Sequence, residues 1–249
     1  MRNYGCFLDI SRYFLPAPVN IPPERHPFEN KVVVAYSTKA ELFDTTDVYY
    51  RGFDQAFPDY WREAEWEREF DEFVKNNNLP SLSLVRLGSD HTGSFGTAID
   101  EVNTPERQQA DNDYAVGKLV EKIANSRYKT DTLIFILEDD AQSGEDHVDA
   151  HRSTAYVVGP YVKQGKVVSE FYTTVSMLRS FEAYLPLELL WILLTFFSYL
   201  LSINQAEREE IIRNTSFSQI KLRSGMETGS PVVKIVAIIQ ADDTLRTSL

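Results

Sequence analysis

The sequence predicts an α/β fold, a largely parallel sheet flanked by helices. Two observations carry this. Apolar runs of strand length alternate with amphipathic helical segments, and two of those runs stop abruptly in loops that hold Asp and His. In open parallel sheets ligands gather at the carboxyl ends of the strands, so these two loops are where chemistry is expected.

The elements follow in chain order. Residues 15–30 (LPAPVNIPPERHPFEN) are proline-rich and predict an extended loop. Lys31–Tyr36 (KVVVAY) predicts a short strand. Asp59–Asn76 predicts a helix, because Trp66, Phe70, Phe73 and Val74 share a face with charges between them, and Asn77, Asn78 and Pro80 stop it. Ser81–Leu87 (SLSLVRL) predicts a strand that ends in SDHTGSFG. Thr104-Pro105-Glu106 opens a turn or helix. A clearer helix is expected from about Asp113 to Ser126, with Asp111 or Asn112 as N-cap and Val116, Leu119, Val120 and Ile123 as its apolar stripe. Thr132–Leu137 (TLIFIL) is continuously apolar, which predicts a fully buried strand, and it ends in Glu138-Asp139-Asp140. Thr154–Val158 predicts a further strand closed by Gly159-Pro160, and Thr173–Leu185 a helix.

Composition narrows the function classes. The chain has 249 residues, 43% of them hydrophobic, enough to bury a core. A single cysteine excludes an internal disulfide scaffold and a multi-cysteine zinc ribbon. The net charge of −12 argues against nucleic acid or an anionic lipid surface as partner. A phosphate substrate remains open, because acids can hold cations and cations can hold phosphate. The N-terminal MRNYGCFLDISRYF has no apolar run of signal-peptide length, so nothing here directs export and location is unassigned. Leu189–Ile203 (LLWILLTFFSYLLSI) is uncharged for 15 residues, short of the roughly 20 that span a bilayer. A buried or interfacial helix is expected there, with a membrane span as the alternative.

The densest chemistry lies between Glu138 and Arg152. Six carboxylates (Glu138, Asp139, Asp140, Glu145, Asp146, Asp149) accompany His147 and His151, and His91 lies in the other strand-end loop. Carboxylates with imidazoles suit Zn, Mn or Fe, and carboxylates alone suit Mg or Ca. Asp139 and Asp140 follow directly on a buried strand, where a divalent cation would offset the cost of desolvating them. A plain solvated acidic loop is the bland alternative. The spacing fits neither an EF-hand nor a zincin, and no G-x-S-x-G, P-loop or dinucleotide fingerprint is present. Asp111-Asn112-Asp113 reads as a capping segment, His26 as a surface residue, and Cys6 has no base partner to make it a nucleophile.

The succession SDHTGSFG (89–96), NTPERQQADNDYAVGKLVEKIANSRY (103–128), DTLIFILEDDAQSGEDHVDAHRSTAYVVGPYVKQG (131–165) and YTTVSMLRSFE (172–182) resembles bacterial phosphoesterases. These are the phospholipase C and acid phosphatase relatives within the alkaline phosphatase superfamily. RNYG (2–5) and TTDVYYRGFDQAFPDYW (45–61) are similar to the same group. The resemblance implies an alkaline phosphatase-like fold and metal-dependent hydrolysis of phosphate esters. The substrate would be a small phosphate ester or a phospholipid, and the cofactors divalent ions (Zn, Mn, Ca or Mg). Asp139, Asp140 and His151 would be the leading metal ligands, with His147 beside them. His91 would bind metal or phosphate with Asp90 orienting it, and Arg152 would contact phosphate.

The resemblance spans about residues 2–184. It implies the C-terminal part of a phosphoesterase domain at 1–184 and a divergent tail at 185–249. The family's nucleophile lies upstream of the RNYG segment, so no Ser or Thr is matched to it and an upstream half-domain is the expected partner. The alternative function is a non-catalytic, cation-binding or membrane-associated interaction domain.

Overall fold

A computed structural model describes residues 1–9, 24–93, 95–138, 153–172, 176–177, 180 and 234–240. Its elements are β1 (Arg2–Tyr4), β2 (Leu8–Asp9), α1 (Pro27–Asn30), β3 (Tyr36–Ser37), α2 (Asp59–Asn76), β4 (Leu82–Leu87), α3 (Pro105–Ala124), β5 (Thr132–Glu138), β6 (Ala155–Val158) and β7 (Lys234–Gln240). Five strands form one sheet in the order β1-β4-β7-β5-β6, and β2 pairs with β3 in a small antiparallel ribbon. β1, β4, β7 and β5 are parallel, and β6 runs antiparallel to β5. The sheet is therefore mixed but mostly parallel, and the α/β expectation holds.

Parallel strands covered on both faces are predominantly apolar, as β4, β5 and β7 are, with Ser83 and Arg86 of β4 among the buried polar exceptions within their span. Side chains alternate between faces. Leu82, Leu84, Leu133, Phe135, Leu137, Ile235, Ala237 and Ile239 fill one layer with Cys6 and Met177. Val85, Leu87, Ile134, Ile136, Val236 and Ile238 fill the other, against α2 and α3. α2 contributes Trp66 and Phe70, whose rings stack 4.7 Å apart, and α3 contributes Ala115, Leu119 and Ile123. Burying an aromatic or aliphatic side chain of this kind stabilises by about 1.5–3 kcal/mol, so this layer fixes both helices on one face of the sheet.

α2 has the bounds that its periodicity predicts. It stops because Asn77 turns left-handed at φ 53° and returns its N–H to the carbonyl of Phe73. α3 differs from expectation. It is one helix that begins eight residues earlier than Asp113, at Pro105, where proline's fixed φ suits the first helical position. Thr104 is its N-cap, accepting the N–H of Arg107 at 3.3 Å. Asp111 and Asn112 lie inside the helix and are buried. Asp111 does cap a helix, but a different one: its carboxylate accepts the N–H groups of Asp59 and Tyr60 at the start of α2.

Three more differences have local causes. Lys31–Tyr36 is not a strand, because Lys31 turns left-handed (φ 56°) after α1 and pairing begins only at Tyr36. Val34 and Ala35 instead donate their N–H groups to the carbonyl of Val48. Pro27–Asn30, expected to be extended, forms one helical turn led by proline. Within 185–249 no strand was expected, yet Lys234–Gln240 is a central strand of the sheet. Leu189–Ile203 lies outside the described residues, as does Thr173–Leu185 apart from Ser176, Met177 and Ser180, which are helical. Among the described residues no helix is long and apolar enough to cross a membrane.

Candidate active site

The sheet register sets the geometry. Leu87 of β4 and Glu138 of β5 both align with Gln240 of β7, so the loops after β4 and β5 leave the same edge of the sheet. The first carries Asp90 and His91. The second carries Asp139, Asp140, His147, His151 and Arg152, which lie outside the described residues.

The loop after β4 is held by side chains from both helices. Asp59, at the first turn of α2, accepts the N–H groups of Gly88 at 3.0 Å and Ser89 at 2.9 Å. It also accepts the amide of Asn112 at 3.0 Å and the guanidinium of Arg62 at 2.8 Å. Ser89 Oγ donates to Asp111 at 2.9 Å. Gln109 Nε2 donates to the carbonyl of Asp90 at 2.8 Å. Gln108 accepts the N–H of Gly93 at 2.8 Å and donates to its carbonyl at 2.6 Å. Residues 108, 111 and 112 fall on one face of α3 because they are three and four apart. That face serves as a clamp on the loop.

A second loop is fixed by Arg62, which is 1% exposed. Its guanidinium donates to the carbonyls of Arg51, Gly52, Asp54 and Phe57. This holds residues 51–57 against the first loop, where Gln55 reaches His91. The ring of Phe53 meets the His91 ring edge-on at 5.7 Å, and the Arg86 guanidinium lies 4.7 Å from the Phe53 ring centre.

Asp90 is the electrostatic anomaly of the site. It is 6% exposed, and its Oδ1 is buried with no hydrogen-bond partner among the described residues. Burial, and then the charges of Asp59 and Glu138, push its carboxyl up to about 7. Asp59 is compensated by four donors and Glu138 accepts the N–H of Thr154 at 3.3 Å, so among the described residues the unpartnered buried carboxylate oxygen at this edge is Asp90 Oδ1. A buried carboxyl raised this far at a strand end makes Asp90 a functional-site candidate.

Other candidates resolve simply. Cys6 is buried, which pushes its thiol up to about 12 and keeps it protonated, in keeping with no nucleophilic role. His26 is exposed and packs edge-on against Trp61, as a surface residue would. A cavity of about 400 Å³ opens beside the start of α2, lined in part by Tyr60, Asp100, Arg107 and Asp111. Its charges are already paired: Asp100 with Arg25, Tyr60 and Trp61, and Arg107 with the Glu101 carboxylate. Among the described residues no three His, Cys, Asp or Glu side chains converge as a metal cluster.

The residues that sequence reasoning missed are the holders: Gln55, Asp59, Arg62, Gln108 and Gln109. One signal was available, a Pro-Asp start to α2 with an arginine three positions on.

A family model described as the Phosphoesterase family matches residues 26–187, well over half of the chain. The match covers α2, β4, α3, β5 and both strand-end loops. No curated protein and no solved structure matches the chain.

Proposed function

Because this chain belongs to the phosphoesterase family, we propose that it acts on phosphate esters with divalent cations held at the shared edge of β4 and β5. The observation that carries the proposal is Asp90, a buried carboxylate with an unpartnered oxygen, raised partly by Glu138 across the sheet. A carboxylate in that state is stabilised by a cation more than by water it cannot reach. The chemistry of the donors that follow Glu138, carboxylates with imidazoles, suits Zn, Mn, Mg or Ca.

Asp139, Asp140 and His151 would hold the cation, with His147 beside them. When bound, the cation would polarise the phosphoryl oxygens and favour the ionised form of the attacking oxygen. The chain's own groups do the rest. Asp59 and the clamp of Gln108, Gln109 and Asp111 fix the loop that carries Asp90 and His91, so these groups meet a substrate without reorganising. Arg152 supplies a positive charge for a phosphoryl oxygen. The substrate class is a small phosphate ester or a phospholipid.

The test is hydrolysis by the purified full chain. A chromogenic phosphomonoester, a chromogenic phosphodiester and phosphatidylcholine vesicles are each offered with Zn, Mn, Mg or Ca. We expect turnover that a chelator abolishes and that Asp140→Ala lowers by at least about tenfold, the usual effect of removing a group in or next to the metal shell. Which of the three substrates turns over names the class. Turnover unchanged by chelator and by Asp140→Ala would overturn the metal-dependent reading, and so would no response to any cation.

A further inference from the structure

We infer that Gln55 is a positioning residue that holds His91 as the tautomer protonated on Nε2. The ring then offers a hydrogen-bond donor at Nε2 rather than a lone pair for a metal. The argument starts from the side-chain amide of Gln55. Its Nε2 lies 2.9 Å from the backbone carbonyl oxygen of His91. A carbonyl only accepts, so the amide atom facing it is the NH2 and not the oxygen. The same NH2 meets Nδ1 of the His91 ring. An amide NH2 only donates, so Nδ1 must present its lone pair. A neutral imidazole carries one ring proton, which therefore sits on Nε2.

The surroundings leave Gln55 little freedom. Gly93 lies directly against its amide: a Cβ there would stand 2.8 Å from Oε1 and 3.1 Å from Nε2, so the position admits only glycine without displacing Gln55. Gly93 is itself bracketed by Gln108. The backbone on either side of Gln55 is tied to Arg62 through the carbonyls of Asp54 and Phe57. Phe53, edge-on to the imidazole, fixes the plane of the ring. Two loops and two helices thus converge to set one proton on one atom.

The consequence separates two roles that the residue types alone leave open. A metal ligand needs a free lone pair, and here Nδ1 spends its own on Gln55 while Nε2 is protonated. His91 therefore leaves the metal set and becomes a donor to an oxyanion. That the oxyanion is a phosphoryl group rests on the function proposed above. The tautomer does not.

The tautomer is read directly by long-range 1H–15N correlation on the histidine-labelled full chain, free of metal and substrate. A pH of about 8.5 keeps an ordinary imidazole neutral. The chain has four histidines, and the resonance lost in His91→Gln assigns the ring. We expect an unprotonated-type Nδ1 and a protonated-type Nε2. Gln55→Glu keeps the shape but only accepts, so it is expected to draw the proton to Nδ1. Gln55→Leu removes the donor without adding charge and is expected to give a shift averaged between tautomers. A wild-type His91 protonated on Nδ1, or averaged like a free imidazole, would overturn the inference, and so would a ring unmoved by both substitutions. Because the readout uses the free protein, a failure to hydrolyse phosphate esters leaves this result intact.

Discussion

Replacing Arg62 by methionine is expected to cost about 3–5 kcal/mol of folding stability, the range for breaking a buried ion pair from one side. The guanidinium is 1% exposed, pairs with Asp59 at 2.8 Å and satisfies four backbone carbonyls of residues 51–57. Methionine fills most of the volume but donates nothing. Those carbonyls lose a charged donor each shares, and Asp59 loses its only cation within 4 Å among the described residues. Urea unfolding should show the midpoint displaced by that amount at unchanged slope. A loss below about 1 kcal/mol would mean that the loop is held by something other than Arg62. The same substitution is expected to disturb Gln55, because Arg62 anchors the backbone on both sides of it.

Truncating Ile238 to alanine is expected to cost about 2–5 kcal/mol, the range for deleting a buried aliphatic side chain and leaving a cavity. Ile238 is wholly buried in β7, between β4 and β5, in the layer shared with α2 and α3. Seven residues of β7 register with β5 and six with β4, so among the described strands it is β7 that pairs the β1–β4 half of the sheet to the β5–β6 half. Urea denaturation again measures the effect. A neutral result would place residues 234–240 outside the cooperative core and leave β4 and β5 without a common neighbour.

What was legible in the sequence follows the range of the forces involved. α2, β4 and β5 are written in local periodicity, and their expected and observed bounds agree within a residue or so. β1 is three residues long, too short for any period, and exists because Arg2–Tyr4 align with Ser83–Val85 some eighty residues away. Asp111 has the chemistry of a cap and acts as one. Its client is the start of α2, 51 and 52 residues distant, so local reading attached it to the wrong helix. KVVVAY carries the β-branched content of a strand, but the left-handed turn at Lys31 and the pull of Val48 deny it a pairing partner. β7 was readable in principle: the apolar run from Ile235 to Ile239 is the same kind of signal as TLIFIL.

The site divides in the same way. Asp90 and His91 stand out in sequence as an acid and an imidazole at a strand end, and the structure places them at the edge where β5 also ends. Asp139, Asp140, His147, His151 and Arg152 belong to the loop that leaves that edge from β5 and lie outside the described residues. Gln55, Gln108 and Gln109 had no such signal. A glutamine is ordinary on a helix or loop, and only the fold shows that three of them address the backbone or ring of one short stretch, residues 90–93.

The central claim is that the acids at the shared end of β4 and β5 hold a divalent cation. The most direct measurement is the thermal unfolding midpoint of the full chain with and without Zn, Mn, Mg or Ca, for the wild type and for Asp140→Ala. A cation at a hundred times its dissociation constant stabilises by about 2.7 kcal/mol, which for a chain of this length raises the midpoint by roughly 5–10 °C. The account predicts such a rise with at least one cation in the wild type, and its loss in Asp140→Ala. An unchanged midpoint with all four cations, or an equal rise in Asp140→Ala, would contradict it.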